Sequence, residues 1–226
     1  MTTSASQHSP IIRQTDNWLA INKAPGINIH CQDGEPGVVA QLSEQLDCPL
    51  WPVHRLDKVT SGILLLAKNA ETAAFLSQQF AEKQVKKLYL ARSHGKPKKK
   101  QGWVKGDMSK SRNGSWKLLR SHNNPAITRF SSQYDEQHQW RLFFLAPYTG
   151  KTHQLRVALK SLATPIDGDQ RYGGVAAERT YLHACALQFN CPQQQRLTLW
   201  QAPTSGTWGT LEQARLEQLF DELHGH

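Results

Sequence analysis

Apolar residues along the chain fall into short runs of strand length, interrupted by four stretches with helical spacing. Trp18 to Asn22 reads as a strand, Ala24-Pro25-Gly26 as a turn and Ile27 to His30 as a second strand, which together predict a hairpin. Val38, Leu42 and Leu46 share one helical face, and Pro49 follows where a helix could not continue. Ile63-Leu64-Leu65-Leu66-Ala67 is apolar without alternation, as in a strand covered on both faces. Asn69 suits the N-cap of a helix from Ala70 to Lys83, striped by Ala73, Leu76 and Phe80. Further strands are predicted over Lys87 to Ser93, Thr128 to Tyr134, Trp140 to Leu145, Leu182 to Phe189 and Arg196 to Gln201, and helices over His153 to Leu162 and Leu211 to Leu223. Strands mixed with helices in this order predict an α+β fold, with no internal repeat and no separating linker.

With 226 residues, the chain is near the upper size for one core, so one catalytic domain is expected, either undivided or as two lobes around a cleft. The chain opens on about ten mostly polar residues, and residues 1–10 are expected to be disordered. Hydrophobic content is 38% and mean hydropathy −0.57, with no apolar run of membrane-spanning length. Met1-Thr2-Thr3-Ser4 lacks the charged-then-apolar order of a signal peptide, so a cytoplasmic location is expected. Cys31, Cys48, Cys185 and Cys191 form no C-x-x-C pair and are read as reduced core or surface thiols.

Charge changes the picture once it is located. Between Lys83 and Arg120 lie thirteen of the 27 Lys and Arg residues but one of the 18 acids, Asp107. A cationic excess gathered in one segment fits a polyanion, since phosphate neutralisation releases counterions, and it also fits a solvated basic loop. Gly95-Lys96-Pro97-Lys98-Lys99-Lys100 should be an exposed loop. Tyr89, Trp103 and Trp116 lie in the same stretch, where they could stack on bases or sit in buried strands.

Several chemistries lose their usual signals. The chain has no G-x-x-x-x-G-K-[ST] phosphate loop, no H-E-x-x-H and no G-x-S-x-G elbow. What remains is the polar cluster from Pro52 to Gly62, just ahead of the apolar strand. Asp57 lies there between Arg55 and Lys58, with Ser61 and Gly62 able to supply hydroxyl and backbone donors. Such a carboxylate would stay ionised and ready as a nucleophile; the same residues would equally suit an Asp capping a turn beside a cation.

His54-Arg55-Leu56-Asp57-x-x-Thr60-Ser61-Gly62-Ile63-Leu64-Leu65-Leu66-Ala67-Lys68 resembles the catalytic motif of the pseudouridine synthases of the ribosomal-large-subunit-A type. In the same order follow further matches: Ile21-Asn22-Lys23-Ala24-Pro25-Gly26 with His30, Lys87-Leu88-Tyr89-Leu90-Ala91, Thr149 to Val157, Pro165 to Asp169 with Tyr172-Gly173, and Leu182-His183-Ala184. The resemblance implies a mixed, largely antiparallel sheet flanked by helices, with two lobes meeting at a catalytic cleft. It implies an isomerase that converts uridine to pseudouridine in ribosomal or transfer RNA, acting as a monomer without cofactor or metal. No N-terminal accessory domain of the S4 kind is expected, so RNA binding would fall on the catalytic domain.

Carried over position by position, the resemblance makes Asp57 the nucleophile that attacks the flipped base or its ribose. Arg55 would help evert the base. Tyr89 would pack on the base and, standing where the C5 proton is removed, is a candidate general base, Arg156 would keep Asp57 charged, and Leu182 would line the base pocket. His54 joins Arg55 and Leu182 as a substrate-side residue, and with His153 and His183 it is read as a hydrogen-bonding support rather than a metal ligand. Lys98, Lys99 and Lys100 are the nominated RNA-binding loop. The chain departs from the family pattern at Lys151, where arginine is common, and at Ala158, where histidine is common. A catalytically inactive RNA binder or RNA chaperone on the same fold is the alternative, against which the joint retention of Asp57, Tyr89 and Arg156 argues.

Overall fold

The apolar run behind Asp57 becomes a strand, Ser61–Ala67, in which every residue is buried. In the computed structural model, which describes residues 9–32, 34–193 and 195–225, it lies near the middle of a ten-stranded sheet. The first half contains β1 (Ile11–Gln14), β2 (Trp18–Lys23), α1 (Val38–Gln45), β3 (Trp51–Pro52), β4 (Ser61–Ala67) and α2 (Ala70–Ala81). The second contains β5 (Lys86–Ser93), β6 (Gln101–Gly106), a separate hairpin of β7 (Met108–Lys110) and β8 (Trp116–Leu118), β9 (Ala126–Asp135), β10 (Trp140–Pro147), α3 (Gln154–Ser161), β11 (Leu182–Asn190), β12 (Arg196–Trp200) and α4 (Gln213–His224).

The sheet runs β1-β2-β4-β11-β5-β10-β9-β6, with β3 beside β4 and β12 beside β11. Among the described residues, its pairings are antiparallel except for β4 with β11, where His183 faces Ser61 and Ala184 faces Gly62. One edge of β11 carries β5; the other pairs first with β4 and then with β12, so the sheet forks there. The fold is the expected α+β arrangement, and the two lobes are two halves of one sheet joined at this fork.

Each half has helices on the faces its apolar residues require. Trp18, Ala20, Ile63 and Leu65 pack with Leu76 of α2, while the alternate residues Leu19, Ile21, Leu64 and Leu66 pack with Val38 and Leu42 of α1. Coverage on both faces is why β2 and β4 show no alternation. In the second half Leu155 and Leu159 of α3 join Phe130, Phe143 and Leu145 in a core shared with Leu216 and Leu219 of α4. Asn69 caps α2 as expected, its Oδ1 accepting the Thr72 N–H at 2.8 Å.

Some sequence expectations are corrected. Ile27 to His30 is not a strand: the Asn28 and Ile29 carbonyls accept from Val38 and Val39 N–H, supplying partners to the open first turn of α1. The hairpin partner of β2 is instead the preceding β1, and its other edge pairs with β4. Of the segment expected to be disordered, residues 1–8 lie outside the described residues, but Pro10 is bound, its carbonyl accepting from Asn22 N–H at 2.8 Å, and Ser9 Oγ accepts from Ala24 N–H at 3.1 Å. The basic stretch also holds three strands that its Gly, Lys and Ser content concealed, β6, β7 and β8. The four cysteines are unpaired, Cys185 and Cys191 buried. Among the described residues, no helix is long and apolar enough to cross a membrane.

Candidate active site

A cleft of about 360 Å³ opens beside the sheet fork, and it gathers most of the nominated residues. The loop from β3 to β4 contributes His54, Arg55 and Asp57, β5 contributes Tyr89, α3 contributes Arg156 and the first residue of β11 contributes Leu182. Lys98, Lys99 and Lys100 do not line it; they are exposed on the loop leaving the far end of β5.

The loop bearing Asp57 is stapled from below. Lys23 is fully buried and its Nζ donates to the carbonyls of Ala24 at 2.8 Å, Ile27 at 2.9 Å and Lys58 at 3.2 Å. Gly26 N–H also donates to the Lys58 carbonyl, at 2.8 Å. Burial pulls the Lys23 ammonium down to about 7, against the raising influence of Asp57. Thr60 N–H closes the turn onto the Asp57 carbonyl at 3.0 Å. His54 anchors the other side: its Nε2 accepts the Leu65 N–H at 3.0 Å and its ring stacks on Phe80 at 4.5 Å. Burial, assisted by the Lys87 charge, lowers its pKa to about 3, so the ring is neutral with the proton on Nδ1.

The charge partner of Asp57 is neither Arg55 nor Lys58, its neighbours in sequence. Arg156 NH1 reaches Asp57 Oδ2 at 3.3 Å, while its Nε and NH2 hold Asp169 Oδ2 and Oδ1 at 2.7 and 2.8 Å. Burial disfavours the guanidinium charge, but the Asp169 hydrogen bonds and both carboxylates raise its pKa overall. Arg156 is 5% exposed and Asp169 2%, whereas the Asp57 side chain is 18% exposed and faces the cleft. The arrangement leaves one carboxylate at the cleft surface with its cation rigidly supported from behind. Asp169 closes the Pro165-to-Asp169 segment, and nothing in its local spacing marks it as the partner of an arginine thirteen residues earlier.

Two further expectations shift. The Ser61 hydroxyl is not directed to Asp57: it bonds His183 Nδ1 at 2.8 Å and accepts from Arg179 NH2. His183 Nε2 meets the Gln201 carbonyl at 2.8 Å, and burial lowers this histidine to about 4. Tyr89 is neutral: burial first, then the Asp57 charge, raises its phenol pKa, so it offers a packing surface and a hydroxyl donor.

The opposite wall is the segment Pro147 to His153. Gln154, 5% exposed, secures it with a fully used amide: Oε1 accepts from Thr149 Oγ1 and Lys151 N–H at 2.7 and 3.0 Å, and Nε2 donates to the Ile127 carbonyl and Thr128 Oγ1 at 3.0 Å each. Lys151 Nζ donates to Asn124 Oδ1 at 2.8 Å, and Ala158 is buried. His153 takes a left-handed backbone at φ 57° and meets the Tyr172 hydroxyl at 2.8 Å, which in turn accepts from Trp116 N–H at 3.0 Å. Lys83 and Lys87 add cationic edges, with burial lowering Lys87 to about 8. A cleft with a carboxylate, an aromatic face and cationic edges suits an uncharged planar base on a polyanionic backbone.

Comparison with known proteins gives the same chemistry. A sequence profile described as RNA pseudouridylate synthase matches residues 17–161. An uncharacterized RNA pseudouridine synthase of Haemophilus influenzae is 52% identical over 183 residues, covering 80% of this chain and 81% of that protein. The ribosomal large subunit pseudouridine synthase C of Rickettsia bellii is 39% identical over 173 residues, covering 72% of this chain but 56% of the relative. In fold, the chain is similar to human RNA Pseudouridylate Synthase Domain Containing 1, with a TM-score of 0.78, 23% identity and 97% of both chains covered. The chain therefore belongs to the RNA pseudouridylate synthase family.

Proposed function

We propose that the cleft receives a uridine everted from a structured cytoplasmic RNA, ribosomal or transfer, and that Asp57 begins its isomerisation as the nucleophile. The observation that carries this reading is the Asp57 carboxylate, partly exposed in the cleft and held at 3.3 Å by an arginine that Asp169 immobilises. The reaction breaks the bond from C1′ to N1 and forms one from C1′ to C5, the C5 proton leaving and N1 gaining one, so its atoms and electrons balance within the substrate. Attack at the ring or at C1′ both suit a carboxylate in this position. Tyr89 and Leu182 pack on the base while it turns, and Arg55, exposed at the rim, takes the place the base leaves in its stem. One chain supplies a complete set of these groups, which supports a monomeric enzyme. The relative named for the large ribosomal subunit supports ribosomal RNA as the first substrate to examine.

Pseudouridine mapping across ribosomal and transfer RNA tests the assignment, in deletion cells carrying either the wild-type chain or Asp57→Asn. A site lost on deletion should return with the wild type and stay absent with the variant. Restoration by Asp57→Asn would remove Asp57 from the chemistry.

A further inference from the structure

We infer that Trp103 is a stacking platform for a second nucleobase of the RNA, one beside the everted uridine, with Lys105 placed for the adjoining phosphate. The inference rests on the proposed RNA-modifying activity and adds a subsite outside the cleft.

Strand β6 is the edge of the sheet, and its alternation sends Val104 inward and Trp103 and Lys105 outward. Trp103 is 43% exposed, a large aromatic surface left to solvent on an edge strand, where folded chains favour charge over open apolar rings. Its ring is surrounded by groups suited to RNA. Lys105 Nζ lies 4.6 Å from the ring centroid and Arg129 Cζ 5.4 Å. Tyr148, whose side lines the cleft, lies 5.1 Å away and tilted by 49°.

Strand registers place the cluster at the cleft end of the sheet. Trp103 pairs with Arg129, Arg129 with Ala146, and β10 ends at the next residue, the cleft-wall Pro147, with Tyr148 directly after it. Lys98 to Lys100 precede β6 from its other end, level with Ser132 and beyond, which removes them from the path of RNA leaving the cleft over Tyr148.

The platform is also braced. The Tyr148 hydroxyl donates to the Leu223 carbonyl in the last turn of α4 and Arg129 NH1 to the carbonyl of Gly225 just past it, both at 2.6 Å. Lys105 Nζ makes no hydrogen bond among the described residues, so the ammonium can swing from the ring to a phosphate when a base arrives. Stacking of a base on an aromatic ring exceeds an exposed cation–π contact, so the exchange is favourable.

The test uses Asp57→Asn protein, so that turnover does not disturb binding, and a short stem-loop RNA whose single-stranded loop carries uridines. Adding Trp103→Ala should weaken its affinity about tenfold, the loss of one base stack, while Trp103→Phe should stay within about threefold. In the otherwise wild-type enzyme, Trp103→Ala should raise KM on ribosomal RNA by the same factor with kcat unchanged. Lys105→Gln should lower the slope of log affinity against log salt by about one, and Trp103→Ala should leave it unchanged. Unchanged affinity in Trp103→Ala, or equal losses in the alanine and phenylalanine variants, overturns the platform. If no RNA gains pseudouridine from the wild-type enzyme while Trp103→Ala still loses binding, the activity fails and the platform stands.

Discussion

Arg156 and Asp169 form a two-pronged ion pair at 2.7 and 2.8 Å, and it is this pair that aims the remaining guanidinium nitrogen at Asp57. Both members are buried, so neither charge has water to fall back on. Asp169→Asn keeps the shape but removes one charge and leaves Arg156 with the longer contact to Asp57 alone. Breaking a buried pair from one side costs on the order of 3 kcal/mol, so the variant should melt at clearly lower temperature. Turnover should fall roughly 10- to 100-fold, the range typical of displaced supporting groups, with RNA affinity retained because neither residue is offered to the backbone. Thermal melts with single-turnover rates on ribosomal RNA would show it. A variant that melts early yet turns over at the wild-type rate would make Asp169 a purely structural residue.

The acid limb of stability should be steep. His54, His183 and His224 are neutral in the fold, with burial the leading cause in each, at about 3, 4 and 4 against 6.5 for an unrestrained ring. Their folded values are depressed, so in acid the unfolded chain binds more protons. The stability these histidines contribute is complete above pH 6.5 and is lost as pH falls from there towards 4. Nearly three extra protons in the unfolded state correspond to a slope of about 4 kcal/mol per pH unit near pH 5, easing towards 4 as His183 and His224 take up protons in the fold. Replacing His54 by Gln, whose carbonyl can still accept the Leu65 N–H, should flatten the slope by about a third. Denaturant midpoints taken between pH 4 and 8 provide the check, and a flat profile would contradict the neutral assignments.

Much of this architecture is written locally. The covered strands β2 and β4, the Asn69 cap and the amphipathic stripe of α2 follow from residue type and spacing, because burial on known faces dictates them. Ile27 to His30 misled because a short apolar run serves a loop packed on α1 as well as a strand. The edge strand β6 escaped because half of it faces water and carries Gly and Lys rather than alternating apolar residues. At the site, local chemistry offers Asp57 only the neighbouring cations Arg55 and Lys58; the ordered motifs are what point to Arg156, which α3 brings to 3.3 Å from it. Asp169 acts through Arg156, and Lys23 reaches past its own turn to the Lys58 carbonyl, 35 residues on; no local spacing announces such contacts.

Gly62 provides the sharpest test of how the sheet fork carries the site. It follows Ser61 at the start of β4, with φ +110°, and a Cβ there would lie 2.3 Å from the Ala184 carbonyl oxygen of β11. Those atoms are backbone, so nothing flexible can move aside, and the parallel pairing of β4 with β11 would have to open. That pairing joins the Asp57 loop to Leu182, the two sides of the cleft. Gly62→Ala should therefore cost more than about 3 kcal/mol, the backbone strain adding to the lost packing. Gly102→Ala meets no atom within 4 Å at φ +138° and should cost only the strain, about 1 to 3 kcal/mol. Gly150→Ala, in open space without a positive φ, should be near neutral. Melting the three variants side by side separates clash from strain. Equal losses at Gly62 and Gly102 would mean that the fork yields where the close approach of β4 and β11 says it cannot.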